Sequence, residues 1–240
     1  MIMYSESRYP VPTDIERLHA GEIASFAEVG TWGSAAQKTA VAAAARSAQC
    51  ERGLQAPVDD ERLTEPGNLP DAAHRLARAV AVDLRNIDRQ FFTDTLANGV
   101  TEGAYVEIVS LVARLSNIDV FARGIDLPPE KLHKPTNDTQ PSFNRPAEAV
   151  AEGFFAASVP SAPQGGELAE SLYGKNPVGN IFRATSLVPD EARRVLNVGG
   201  VQYFGTDHLL DFNAVSIHPL SRAQIELVAT KVSEHNQCFY

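Results

Sequence analysis

Apolar residues recur at spacings of three and four along much of the chain, and this pattern predicts an all-α protein. From Ser34 the run Ser-Ala-Ala-Gln-Lys-Thr-Ala-Val-Ala-Ala-Ala-Ala-Arg-Ser-Ala-Gln-Cys50 is rich in the best helix former. Ser34 and Gln37 make a capping box at its start, so a buried, Ala-lined helix is expected. A second helix should begin near Asp71, after Pro70, with Leu76, Ala77, Val80 and Leu84 at helical spacing. A third is predicted from Thr101 to about Gly124, with Val106, Val109, Leu111, Val112, Leu115, Ile118 and Phe121 largely on one face. Gly124 and the Pro128-Pro129 pair end it.

The periodicity breaks between residues 131 and 170, where Pro135, Pro141, Pro146, Pro160, Pro163 and Gly165-Gly166 interrupt it. Such a stretch reads as a linker or a long ordered loop. Helical pattern resumes near Val178, where Ile181, Ala184, Leu187 and Val188 lead to Pro189 and the acidic first turn Asp190-Glu191 of a helix through Leu196. A last helix starts at Ser221, again with a capping box, Ser221 with Gln224. Both capping-box helices close on Gln-Cys, at Cys50 and Cys238, which suggests an internal repeat. The expected organisation is a degenerate helical repeat over 1–130, a linker over 131–170 and a second repeat over 171–240.

Charge and cysteine content narrow the function classes. A formal net charge of −9 works against binding to nucleic acid or anionic membranes. No signal-peptide run and no membrane-length apolar run occurs, so the expected location is the cytoplasm. Two cysteines give no disulfide framework. His208 and His218 lack metal-ligand spacing, and no metal, haem or flavin is called for. Gly199-Gly200 lacks a nucleotide-loop context and reads as a turn. Trp32 and Tyr173 read as packing residues, and His235 as a solvated side chain.

The last helix carries the most specific signal. Leu220, Arg222, Gln224, Ile225, Glu226, Leu227, Val228, Val232, Ser233, Asn236, Cys238 and Tyr240 fit the pattern L-x-R-x-Q-I-E-L-V-x-x-x-V-S-x-x-N-x-C-x-Y-C-x-x-x-H. On these residues the chain resembles the AhpD-like alkylhydroperoxidase and carboxymuconolactone decarboxylase superfamily, in its peroxidase-related branch with selenoprotein members. Similarity extends more loosely to Asn176-Pro177 and 181–191, and to a degenerate first copy over 24–130. The resemblance implies a duplicated all-α fold and reduction of alkyl hydroperoxides or hydrogen peroxide by a Cys-x-x-Cys or Cys-x-x-selenocysteine pair. It makes Cys238 the resolving thiol, Glu226 the proton-relay carboxylate and a dithiol the electron donor.

The chemistry asks for a thiolate or selenolate to attack the peroxide, and for a neighbouring thiol to condense with the resulting acid. The peroxide-reacting member of the pair would follow Tyr240. The expectation is therefore a selenoprotein truncated at a UGA codon, with a frameshifted fragment and a 240-residue protein that has lost the activity as rivals. Truncation should leave Ile225, Val228, Ala229 and Val232 as an exposed apolar face, or hide them in a homo-oligomer. Each residue also has a plainer role. Glu226 suits a first-turn charge, and Cys50 suits a relic or core cysteine. A non-catalytic helical module for oligomer formation or ligand binding is the alternative function.

Overall fold

The structure, a computed structural model, describes residues 3–58, 69–137, 139–152, 155–204, 219–236 and 238. The chain divides into two compact units, Met1–Val195 and Leu196–Tyr240. Among the described residues the regular elements are helical: α1 Thr13–Ser25, α2 Ala35–Glu51, α3 Asp71–Val82, α4 Arg89–Ala97, α5 Glu102–Gly124, α6 Gly166–Tyr173, α7 Asn180–Arg183, α8 Pro189–Gln202 and α9 Arg222–His235. One antiparallel bridge, Val150 with Ser158, is the extended pairing observed. None of these helices is long and apolar enough to cross a membrane.

The first unit is built on α2, α3 and α5, which pack on one another. α2 begins as its sequence predicts. The Ser34 hydroxyl accepts from the Gln37 N–H, and the Gln37 side chain accepts from the Ser34 N–H, so two orphan donors of the first turn are satisfied. Its alanines, Ala42 to Ala45, are small enough for close helix approach and join Leu76, Ala77, Leu111, Val112 and Leu115 in one core. Arg46, with no exposed surface, crosses from α2 to α5 and donates to both Asp119 oxygens at 2.9 and 2.8 Å and to the Glu130 carbonyl at 2.7 Å. Burial pushes the Asp119 carboxyl above its ordinary range while Arg46 pulls it back.

α5 departs from the one-faced helix expected of it. Its buried residues include Tyr105, Glu107, Ile108, Arg114, Leu115, Ile118 and Asp119, which point in several directions around the axis. The helix is central, so its mid-helix charged residues Glu107, Arg114 and Asp119 are buried as well as its apolar ones. The apolar spacing does not predict α1, α4 or α6. α1 follows Pro12 with Asp14 and Glu16 in its first turn, and α4 is capped by the Asp88 side chain accepting from the Phe91 N–H at 2.8 Å. α3 stops at Val82, and Leu84, assigned to it by spacing, lies 66% exposed in a 3₁₀ turn.

Residues 131–170 lie inside the first unit. Leu132, Ala157, Val159 and Ala162 in that stretch are buried, and Ala157 packs with Val106, Leu187 and Val188. The prolines remove helix without removing burial, which gives the ordered loop rather than a free linker. The helical pattern expected from Val178 condenses to the single turn α7. α8 runs past Leu196 to Gln202 and includes Gly199-Gly200, so that pair is helical and not a turn.

In the second unit α9 opens at Ser221, whose side chain accepts from the Gln224 N–H, completing the expected capping box. No residue of α9 is buried. Val228 and Val232 are exposed, as is Leu227, and Ile225 and Ala229 are half-buried, so the apolar face expected on this helix is open to solvent. His208 and His218 lie outside the described residues.

Candidate functional site

Glu226 projects from the second turn of α9 and is held on both oxygens. Tyr203 Oη donates to one at 2.6 Å and Arg222 Nε to the other at 2.6 Å. The Arg222 guanidinium also lies 4.1 Å above the Phe204 ring. The Tyr203 hydrogen bond and then Arg222 hold the Glu226 carboxyl below its ordinary range. Desolvation and the facing carboxylate push Tyr203 up to about 12.

Cys238 lies beyond the C-cap Asn236, exposed and free, with its backbone N–H donating to the Ser233 carbonyl at 2.9 Å. At about 1.5 Å per residue, roughly 14 Å of helix separate Glu226 from His235 at the end of α9. The two residues singled out from the motif therefore lie on α9 and just beyond its end and are not brought together, and among the described residues the side-chain partners of Glu226 are Tyr203 and Arg222. His235 is exposed, as expected. Cys50 is half-buried, with its sulfur 3.5 Å from the Ala56 carbonyl oxygen, and is also free.

A second concentration of polar groups, not singled out from sequence, sits inside the first unit. Arg114 on α5 reaches Glu22 on α1 with one terminal nitrogen and Glu191 on α8 with the other, and all three side chains are at least nine-tenths buried. Arg194 adds a contact to Glu22 at 3.3 Å, and the Arg114 guanidinium lies 5.2 Å from the Phe26 ring. Beside them Glu107 accepts from the backbone N–H of Trp32 at 2.9 Å and of Gly33 at 3.0 Å. The turn wraps the carboxylate so tightly that a Cβ at Gly30 would lie 2.0 Å from a Glu107 oxygen. Burial and the nearby Glu191 push the Glu107 carboxyl up.

Lys38, 5% exposed, completes the group. Its ammonium donates to the Ser25 carbonyl at 2.8 Å, at the negative C-terminal end of α1. Burial lowers its pKa. Two signals could have found these residues. Lys38 precedes Cys50 by the same twelve positions that separate Glu226 from Cys238. Glu107 and Arg114 each interrupt an apolar run, Val106 to Ile108 and Ala113 to Leu115, where a surface role is sterically excluded once the helix is central.

Trp32 is fixed against this region as a packing residue. Its ring meets Phe143 edge-on, with centroids 5.8 Å apart, and covers Gly103 so closely that a Cβ there would lie 2.1 Å from ring carbon Cε2. Gly103→Ala is expected to cost about 1–3 kcal/mol and to displace the indole. Urea unfolding and the emission maximum of this single tryptophan would both move, and an unchanged emission maximum would contradict the packing described. Tyr173 likewise packs, with its hydroxyl 3.4 Å from the Val159 carbonyl oxygen.

Among the described residues no cluster of His, Cys, Asp and Glu is arranged to hold a metal ion. No family model, curated protein or solved structure matches the chain.

Proposed function

We propose that the chain is a peroxidase-related, AhpD-like oxidoreductase that reduces alkyl hydroperoxides or hydrogen peroxide at the expense of a dithiol, with Cys238 as the resolving thiol. The observation that carries the reading is the free, solvent-open thiol of Cys238 at the end of a capping-boxed helix, twelve positions after Glu226. The pattern places its redox partner, a cysteine or selenocysteine, three positions further along. That partner attacks the peroxide, the O–O bond breaks with release of the alcohol, or of water from hydrogen peroxide, and the partner becomes a sulfenic or selenenic acid. Cys238 condenses with it, water leaves, and the dithiol reopens the bond by exchange. Glu226 is the carboxylate assigned to proton relay. That role requires the Tyr203 and Arg222 contacts to open, because they now hold it ionised.

The test compares peroxide consumption by the chain through Tyr240 with that of a chain continued by a cysteine and, four positions beyond it, a histidine. Turnover is expected only in the continued chain. Cys238→Ser in it should leave a trapped sulfenic acid, and Glu226→Gln should slow turnover by about a hundredfold or more. Turnover through Cys238 alone, or none in the continued chain, would overturn the assignment. The second reading, a non-catalytic module, is favoured by the pairing of Glu226 away from Cys238 and by the open apolar face of α9. In that reading Val228 and Val232 close a homo-oligomer.

A further inference from the structure

A cavity of about 500 Å³ opens in the first unit, within the size range of small-molecule sites. The central helix α5 contributes Tyr105, Val106 and Val109 to its lining, and the turn that follows α3 contributes Ile87 and the exposed Leu84. Phe155 reaches it from the proline-rich loop, stacked on Phe92 with centroids 5.8 Å apart, and Phe92 in turn meets the Tyr105 ring edge-on at 4.8 Å. Among the described residues no charged side chain lines this space.

A second observation concerns the polar groups of the lining. Tyr105 is 5% exposed, yet among the described residues its hydroxyl has no hydrogen-bond partner and is not one of the polar atoms sealed from water. The small accessible part of this residue therefore includes the hydroxyl, and the open space that Tyr105 lines is this cavity. Burial pushes the phenol up to about 12, so it stays neutral and able to donate. The hydroxyl of half-buried Thr185, also in the lining, likewise has no partner among the described residues. Two hydroxyls on an otherwise apolar lining suit one polar group on a hydrocarbon body better than ordered water, which needs about two to four polar partners at each position. A carboxylate would lose its hydration here and gain no cation from the lining.

We propose that this cavity binds an uncharged, largely apolar molecule with a single hydrogen-bonding group, an aliphatic alcohol being the simplest, with that group at the Tyr105 and Thr185 hydroxyls and its hydrocarbon body against Val106, Val109 and Phe155. The site lies wholly within the first unit, apart from Cys238 and Glu226, and does not depend on the redox reading.

N-phenyl-1-naphthylamine is neutral, carries one N–H and brightens in apolar surroundings, so its emission reports occupancy. Titrated into the intact chain it is expected to give a saturable rise that 1-octanol reverses by competition. Octanoate, of the same length but charged, should compete at least about tenfold more weakly. The open apolar face of α9 is a second place for the dye, and Ala184→Phe separates the two, since Ala184 is exposed and lines this cavity alone. That variant should lose the saturable rise. Tyr105→Phe keeps the ring against Phe92 and removes the hydroxyl, and should weaken 1-octanol by about fivefold. A linear response, octanoate competing as well as octanol, or binding undiminished in Ala184→Phe or Tyr105→Phe would each overturn the proposal. If Ala184→Phe fails to fold, the octanol and octanoate comparison and Tyr105→Phe still decide it.

Discussion

Arg114→Ala is expected to destabilise the first unit by about 3–5 kcal/mol, a large share of what holds a domain together. The guanidinium is the shared partner of Glu22 and Glu191, and its removal leaves two carboxylates buried among apolar neighbours. Glu22 keeps Arg194, but Glu191 has no other ion pair among the described residues. Water cannot readily solvate Glu191, because it is 3% exposed. The cost is that of stranded charge and not of the attraction lost, so the cure is to remove the charge. Combining Arg114→Met with Glu22→Gln and Glu191→Gln should recover most of the loss. Urea titrations of the two variants, followed by helix content and by Trp32 emission, measure both effects. A loss below about 1 kcal/mol in Arg114→Ala would mean that the carboxylates reach solvent, contrary to the burial described.

The elements that were legible in advance share a property: their signals are local. The Ser34 and Ser221 capping boxes, the Pro70 start of α3 and the Thr101 start of α5 each depend on residues within one turn, and each is present. What was not legible depends on what packs where. The clustering of apolar residues predicts a one-faced α5, but neighbours on several sides bury Glu107, Arg114 and Asp119 too. The prolines of 131–170 report absence of helix and say nothing of burial, so Leu132 and Val159 could not be foreseen as core. Gly199-Gly200 costs helix stability but does not forbid it, and α8 passes through. The candidate residues divide in the same way. Cys238 and Glu226 were found because a linear spacing marks them. Lys38, Glu107 and Arg114 meet their partners across 13 to 92 residues of chain, and the pairing of Arg114 with Glu22 and Glu191 is a tertiary fact.

Lowering the pH from neutrality to 4 is expected to destabilise the first unit through His19 by about 2 kcal/mol. His19 on α1 has no exposed surface, its ring meets Phe121 edge-on at 4.9 Å, and Tyr4 Oη lies 2.6 Å from its Nδ1. Burial raises the Tyr4 pKa, so its hydroxyl stays protonated. Protonating the ring would place a charge among aromatic rings. Burial accordingly lowers His19 from 6.5 to about 4. Between those values the unfolded chain binds the extra proton and the folded one does not, so stability falls as pH drops from 6.5 and levels off below about 4. At about 1.4 kcal/mol per pH unit the shift gives an upper limit of roughly 3 kcal/mol, and local rearrangement around the charged ring reduces it to about 2. Glu107 and Asp119 act in the opposite sense. Their raised pKa values favour the folded state at low pH and disfavour it as pH rises, so the pH profile of the native chain alone mixes the two effects. His19→Gln separates them, since it keeps a hydrogen-bonding partner for Tyr4 but does not titrate. The stability gap between the native chain and this variant, from urea unfolding at a series of pH values, should shift by about 2 kcal/mol in the variant's favour between pH 7 and 4. A gap that stays constant over that range would show that His19 reaches water or finds a new partner when it charges.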